Sequence, residues 1–213
     1  MRFDVLLLDL DGTLLDASDA IVEGVLELAA EQGLPVPDPS WARNKIGQPP
    51  HTVWEELGAE NPQELVGIFA DRVLPRLAGR SRALPGVAQT LPHLTAAGLT
   101  LAVATTRLTE NAREGLLATG LAGHIDFVAG RDLVANSKPA PDVLLHALES
   151  VGGHVDRALM IGDSDADVLA AHAAGIPCWA VLDGVGKETA LREAGADLIL
   201  KEGFAELPGR LGL

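Results

Sequence analysis

The chain has 213 residues, 47% of them hydrophobic, enough to bury a core as one domain or as one domain with an insertion. A formal net charge of −14 speaks against nucleic acid or an anionic membrane as partner, since both are held by basic patches. No apolar run approaches the roughly 18 residues of a membrane span, and the one cysteine, Cys178, has no internal disulfide partner, so a reducing cytoplasm is the expected compartment.

The chain opens on Met1-Arg2-Phe3-Asp4, which carries an acid and runs straight into an apolar stretch, unlike a signal peptide. Val5-Leu6-Leu7-Leu8 reads as a short buried strand. It ends in Asp9-Leu10-Asp11-Gly12-Thr13, two aspartates that point the same way off the strand end, followed by a glycine that lets the backbone turn. Carboxylates so close repel each other unless a cation lies between them. The stretch is therefore a candidate Mg²⁺ site with a nucleophile beside an acid/base, although acids at strand ends also occur in ordinary loops. From 16 to 80 the strand signals vanish. Residues 18–32 carry an apolar stripe of Ile21, Val22, Val25, Leu26, Leu28 and Ala29, and 49–57 and 62–77 are further expected helices. Residues 16–82 are expected to form an all-helical domain inserted into an α/β core of 1–15 and 83–213. Between its helices, 41–49 is expected as a loop. It holds two cations in an acidic chain, Arg43 and Lys45, and a turn at Gly47.

Beyond the insertion, apolar strands expected at 99–104, 125–128, 158–161, 177–181 and 198–200 alternate with helices at 87–97, 110–119, 142–151, 165–174 and 188–194. The helices are closed or flanked by Gly98, Gly120, Gly152, Gly175 and Gly195. This alternation predicts parallel βαβ units, in which ligands bind beyond the carboxyl ends of the strands. Asp9, Thr105 and Asp163 all fall at such ends. Ser137-Lys138-Pro139-Ala140-Pro141-Asp142 presents a lysine just before a helix, and Met160-Ile161-Gly162-Asp163-Ser164-Asp165-Ala166-Asp167 is another apolar run ending in acids. Asp163 and Asp167, four apart, share a face if a helix starts there, while Asp165 suits the positive end of that helix. Gly130-Arg131-Asp132 reads either as a site rim or as a turn. Cys178 is expected in the core, and the six histidines show no ligand spacing.

Strand-then-Asp, strand-then-Thr, loop-Lys and strand-then-Gly-Asp, in that order, resemble the four motifs of the haloacid dehalogenase-like hydrolase superfamily. The resemblance runs from Phe3 to about Val181. It implies a Rossmann-like parallel sheet carrying a helical type-one cap right after the first motif. It further implies that Asp9 is the nucleophile, Asp11 the acid/base, Thr105 a phosphoryl-binding hydroxyl and Lys138 the neutralising cation. Mg²⁺ would then be held directly by Asp9 and Asp163 together with the backbone carbonyl of Asp11, and by Asp167 either directly or through water. Members often carry Asn after the motif-two hydroxyl. This chain has Thr106 followed by Arg107, so contacts on the substrate side, to which both residues are assigned, are expected to differ.

Within the superfamily, dehalogenases lack an acid at the Asp11 position. β-Phosphoglucomutases usually carry a histidine near where Ile21 stands, and phosphonatases rely on a cap lysine, whereas no lysine occurs before Lys45. The resemblance is thus to the phosphoglycolate phosphatase-like branch, acting on a small phosphorylated metabolite. Arg43 or Lys45 would suit a carboxylate on that substrate, and solvated surface charges are the equal alternative. Sugar or nucleotide phosphates, handled by a phosphatase or a phosphomutase, stay open. So does a non-catalytic binding domain that keeps the fold.

Overall fold

A computed structural model describes residues 3–46, 48–73, 75, 78–184 and 186–213. Six strands form one parallel sheet: β1 (Val5–Leu8), β4 (Thr100–Ala104), β5 (Phe127–Ala129), β6 (Ala158–Gly162), β7 (Cys178–Val181) and β8 (Leu198–Leu200), in the order β5-β4-β1-β6-β7-β8. Strand β1 is apolar throughout because both of its faces are covered. Leu6 and Leu8 pack with Leu91, Leu94, Leu116 and Phe204 on one side. Val5 and Leu7 pack with Leu144, Ala147 and Val168 on the other, the alternation a pleated strand imposes. Cys178 is fully buried in this second layer.

Strand β1 is also where the winding reverses, with β4 and β5 to one side and β6, β7 and β8 to the other. A crevice opens outside the carboxyl ends of the strands at such a reversal. Leu8 stands level with Val103 and with Ile161, so the residues after the three central strands, Asp9, Thr105 and Asp163, emerge on one edge.

The chain divides into two compact units, one running up to Asp16 and resuming at Arg82, the other spanning Ala17–Ser81. Two short strands absent from the sequence reading flank the division. Leu15–Asp16 (β2) and Arg82–Ala83 (β3) pair antiparallel, Leu15 opposite Ala83 and Asp16 opposite Arg82.

The second unit contains helices at Ser18–Glu31, Pro39–Arg43, Pro50–Glu56 and Pro62–Ile68, around a core of its own that includes Val22, Val25, Leu28, Trp54 and Leu65. Three of these helices open on proline, whose fixed φ suits a first turn. The first of these three, Pro39–Arg43, corrects the expected loop at 41–49. Asp38 accepts a hydrogen bond from the Ser40 N–H at 2.8 Å and Pro39 sets the first turn, so Trp41 and Arg43 are helical and only the stretch from Asn44 turns. Gly47 lies outside the described residues. The helix expected over 62–77 is α-helical only to Ile68 and then widens to a π-helical turn at Phe69–Val73. Residues 74, 76 and 77 also lie outside the described set.

Candidate active site

The site begins with the turn that follows β1. Gly12 has φ +88°, a value that favours glycine, and a Cβ there would collide with the Asp163 carboxylate. The turn closes with the Gly12 N–H donating to the Leu15 carbonyl at 2.8 Å. It buries Thr13 completely, and the Thr13 hydroxyl donates to Asp163 Oδ1 at 3.3 Å. Asp9 is held by its own N–H, which donates to the Ile161 carbonyl of β6 at 2.9 Å.

Asp163 follows β6, and Asp167 lies one turn into the helix Asp165–Ala173. Ser164 caps that helix. Its hydroxyl donates to Asp167 Oδ2 at 2.6 Å and accepts from the Asp167 N–H, while the Ser164 and Asp163 N–H groups donate to the same Oδ2 at 3.1 and 3.2 Å. One oxygen of Asp167 thus caps the helix and leaves Oδ1 for the site. Asp165, the first helical residue, is an acid at the positive end of the helix, as expected.

Lys138 joins the pieces. Its Nζ donates to Asp9 Oδ1 at 2.5 Å and to Asp167 Oδ1 at 2.5 Å, and its side chain is 3% exposed. Asp9, Asp163 and Asp167 are all buried, and their nearest oxygens lie within 4.8 Å of one another. Burial pushes the Asp9 carboxyl well above the usual carboxylate range; Lys138 opposes the shift, and Asp167 and Asp163 add to it. Burial acts to lower Lys138, but Asp167 and Asp9 outweigh it and hold the ammonium firmly protonated. Three buried carboxyl groups face a single ammonium, so the site is rich in oxygen donors and short of positive charge. A hard divalent cation with oxygen ligands fits this donor set. Among the described residues no histidine or cysteine joins the group.

Thr105 follows β4, with its N–H donating to the Ala129 carbonyl at 3.0 Å and its hydroxyl accepting from the Arg107 N–H at 3.1 Å. Arg107 turns back on the first loop. Its Nε donates to Asp11 Oδ2 and its Nη2 to Asp11 Oδ1, both at 2.5 Å. Thr106 is exposed. The stretch 130–132 leads into a 3-10 turn at Arg131–Leu133, where Asp132 makes a cap for the neighbouring helix. Its Oδ1 accepts from the Thr109 N–H at 2.7 Å and the Thr109 hydroxyl at 2.9 Å, and so anchors the start of the helix Thr109–Ala118.

The fold therefore brings Asp9 and Asp167 into direct contact with Lys138, sets Asp163 beside them, and ties Arg107 to Asp11. In the helical unit, Arg43 is paired with Asp19. Lys45 sits 2.6 Å from Glu56, with its Nζ 5.1 Å from the Trp41 ring centroid. Three contributors were missed in the sequence. Thr13 stood inside the quoted motif without a role. Ser164 and Asp167 have Ser-x-x-Asp spacing, close to a capping-box pattern. Gly184, in Gly184-Val185-Gly186, passes so close to Asp163 that a side chain there would strike its carboxylate.

A family model described as haloacid dehalogenase-like hydrolase matches residues 6–181. A phosphoglycolate phosphatase of Caulobacter vibrioides is 35% identical over 208 residues, covering 94% of this chain and 87% of the relative. Another, from Mesorhizobium japonicum, is 32% identical over 189 residues, covering 85% and 83%. The crystal structure of a predicted phosphatase from Clostridium acetobutylicum superposes with a TM-score of 0.82 at 28% identity, over all of both chains. With its matched region spanning all four motifs and its fold superposing on that of this phosphatase, the chain belongs to the haloacid dehalogenase-like hydrolases.

Proposed function

We propose that the chain is a Mg²⁺-dependent phosphatase that hydrolyses small phosphate monoesters, phosphoglycolate-like in size, through an aspartyl-phosphate on Asp9. The observation that carries this reading is Lys138, bonded at once to Asp9 and to Asp167 at 2.5 Å beside the buried Asp163. Asp9, Asp163 and Asp167, with the Asp11 carbonyl, would hold the metal, which supplies charge neutralisation for the phosphoryl oxygens. The phosphatase relatives support the substrate class.

In the first step a carboxylate oxygen of Asp9 attacks phosphorus, and the bond from phosphorus to the leaving oxygen breaks. Asp11 delivers a proton to that oxygen as it leaves. The Thr105 hydroxyl and the Lys138 ammonium bind the phosphoryl oxygens, and most of the acceleration comes from this positioning and charge balance. In the second step Asp11 takes a proton from water. The water oxygen attacks phosphorus, the acyl phosphate bond breaks, and Asp9 returns as carboxylate with inorganic phosphate released.

The test is hydrolysis of p-nitrophenyl phosphate and of a panel of small phosphate monoesters, phosphoglycolate included, with Mg²⁺ and with excess EDTA. Turnover that needs the metal and vanishes in Asp9→Asn is expected. Full activity in EDTA, or a folded Asp9→Asn variant that keeps more than a few per cent, overturns the reading.

A further inference from the structure

Arg107 is fixed at its base and engaged at its tip. Its N–H donates to the Thr105 hydroxyl at 3.1 Å, and its carbonyl accepts from the Arg131 N–H at 2.9 Å. Gly130 passes so close that a Cβ there would strike the Arg107 carbonyl. From this anchored backbone, just beyond β4, the guanidinium reaches the loop after the neighbouring β1 and donates to both oxygens of Asp11. Both residues belong to the larger unit, so the pair needs nothing from the helical one. The Arg107 side chain is 15% exposed and that of Asp11 35%, so solvent reaches the pair mainly from the Asp11 end.

Asp11 cannot stay wholly in this pairing and act. Each of its oxygens accepts from the guanidinium, and the reaction needs one of them against the leaving oxygen. Withdrawing it leaves a largely buried guanidinium without its planar, two-oxygen acceptor, a loss that a second carboxylate of the same shape makes good. The ester itself can bring one. In the phosphate ester of a 2-hydroxy acid, the carboxylate carbon stands two bonds from the oxygen that Asp11 must reach, so a guanidinium within reach of Asp11 is within reach of that carboxylate. The cations first considered for a substrate carboxylate, Arg43 and Lys45, are paired with Asp19 and Glu56, acids that have no part in the reaction.

We propose that Arg107 reads the carboxylate of a phosphorylated 2-hydroxy acid and exchanges Asp11 for it, so that binding of the matching substrate frees the acid/base. Only hydrogen bonds change in the exchange: the Nε and Nη2 donors leave Asp11 and take the substrate's carboxylate. An ester without that carboxylate must separate the pair with nothing to replace it. The role of Asp11 rests on the phosphatase reading; the choice of substrate class rests on the Arg107–Asp11 pair.

The experiment compares phosphoglycolate with phosphoglycolamide, its counterpart of equal size without the carboxylate charge. Steady-state kinetics in Mg²⁺ are run on the full chain, and calorimetry on Asp9→Asn reads the same preference without turnover. The parent is expected to favour phosphoglycolate roughly tenfold or more in kcat/KM, with part of the gain in kcat, and Asp9→Asn to bind it correspondingly tighter. Arg107→Gln should abolish the preference in both measurements. A misaligned Asp11 slows both esters alike and cancels in their ratio, so the ratio reports the carboxylate contact. Arg107→Lys keeps the charge without the planar fork and should retain only part of the preference. A parent that treats the two esters alike, a preference confined to KM, or one fully retained in folded Arg107→Gln overturns the proposal. Absence of turnover with either ester defeats the phosphatase reading instead. The calorimetric preference, present in Asp9→Asn and lost when Arg107→Gln is added, then still decides whether the guanidinium reads a carboxylate, and equal binding of the two esters overturns it.

Discussion

Arg107 grips Asp11 by both carboxylate oxygens, Nε to Oδ2 and Nη2 to Oδ1, each at 2.5 Å. A planar guanidinium fixes the orientation of a carboxylate in a way a single ammonium does not. An Asp11 oxygen that passes a proton must first be freed from one of these bonds, so Arg107 both aims the acid/base and competes for it. Arg107→Ala is expected to lower kcat roughly ten- to hundredfold in a folded protein, the range of a misplaced proton donor. Arg107→Lys should recover only part of the loss. Steady-state kinetics alongside circular dichroism read both. An unchanged kcat in Arg107→Ala would assign the pair to the resting structure only.

Asp9→Asn is expected to separate activity from stability. Its carboxyl is pushed well above the usual carboxylate range by burial. The folded state therefore holds this proton more tightly than the unfolded one, and stability falls as pH rises from the unfolded value towards the folded one. At neutral pH and without metal, an amide at position 9 removes that cost. The thermal midpoint of Asp9→Asn in EDTA should exceed that of the parent while turnover is lost. A lower midpoint would show that the Lys138 bond dominates.

Asp163 and Asp167 should respond differently to truncation. Asp163→Ala removes a candidate ligand whose Oδ1 accepts from the Thr13 hydroxyl. It is expected to weaken Mg²⁺ binding at least tenfold with a modest change in midpoint. Asp167→Ala also strips the acceptor of Ser164 from the helix start. That loss should cost about 1 kcal/mol of stability in addition to any effect on the metal. Calorimetric Mg²⁺ titration and thermal unfolding in EDTA distinguish the two, and equal midpoints would count against the capping role of Asp167.

Asp132 gives the fold an acid-sensitive anchor. Burial acts to raise its carboxyl, but the Thr109 N–H and hydroxyl outweigh it, and it lies below the ordinary value of 3.8. A depressed value in the folded state contributes stability that is complete above the unfolded value and is lost as pH falls through the folded one. Asp132→Ala should therefore lower the midpoint at pH 7, and the gap to the parent should close below about pH 3.8. Unfolding curves from pH 7 to 3 test this, and a gap independent of pH would refute it.

The sheet was legible because its strands are buried on both faces. Apolar runs such as Val5–Leu8 and Ala158–Gly162 carry their own signal, and the helices between them end near glycines. The candidate site was legible because aspartates at strand ends in a parallel sheet converge on one edge. What stayed hidden lacked either length or periodicity. Two-residue strands at Leu15–Asp16 and Arg82–Ala83 form only through each other. The helix Pro39–Arg43 depends on one Asp38 side chain rather than on an apolar stripe. The grip of Arg107 on Asp11 joins residues 96 apart in sequence, which no local pattern encodes. The substrate cations proposed from composition, Arg43 and Lys45, have Asp19 and Glu56 as partners, which charge counting did not foresee.

The ribbon formed by β2 and β3 makes the helical unit a cassette. Both chain crossings run through adjacent, hydrogen-bonded positions, with Asp16 directly opposite Arg82. Two antiparallel strands in that register need only a tight turn to join them, and an Asn-Gly pair is the shortest that matches their twist. Replacing Ala17–Ser81 by Asn-Gly would convert an interdomain crossing into a plain hairpin and leave every strand of the large sheet uncut. The ribbon fixes only where the chain departs and returns, and nothing about what is carried between.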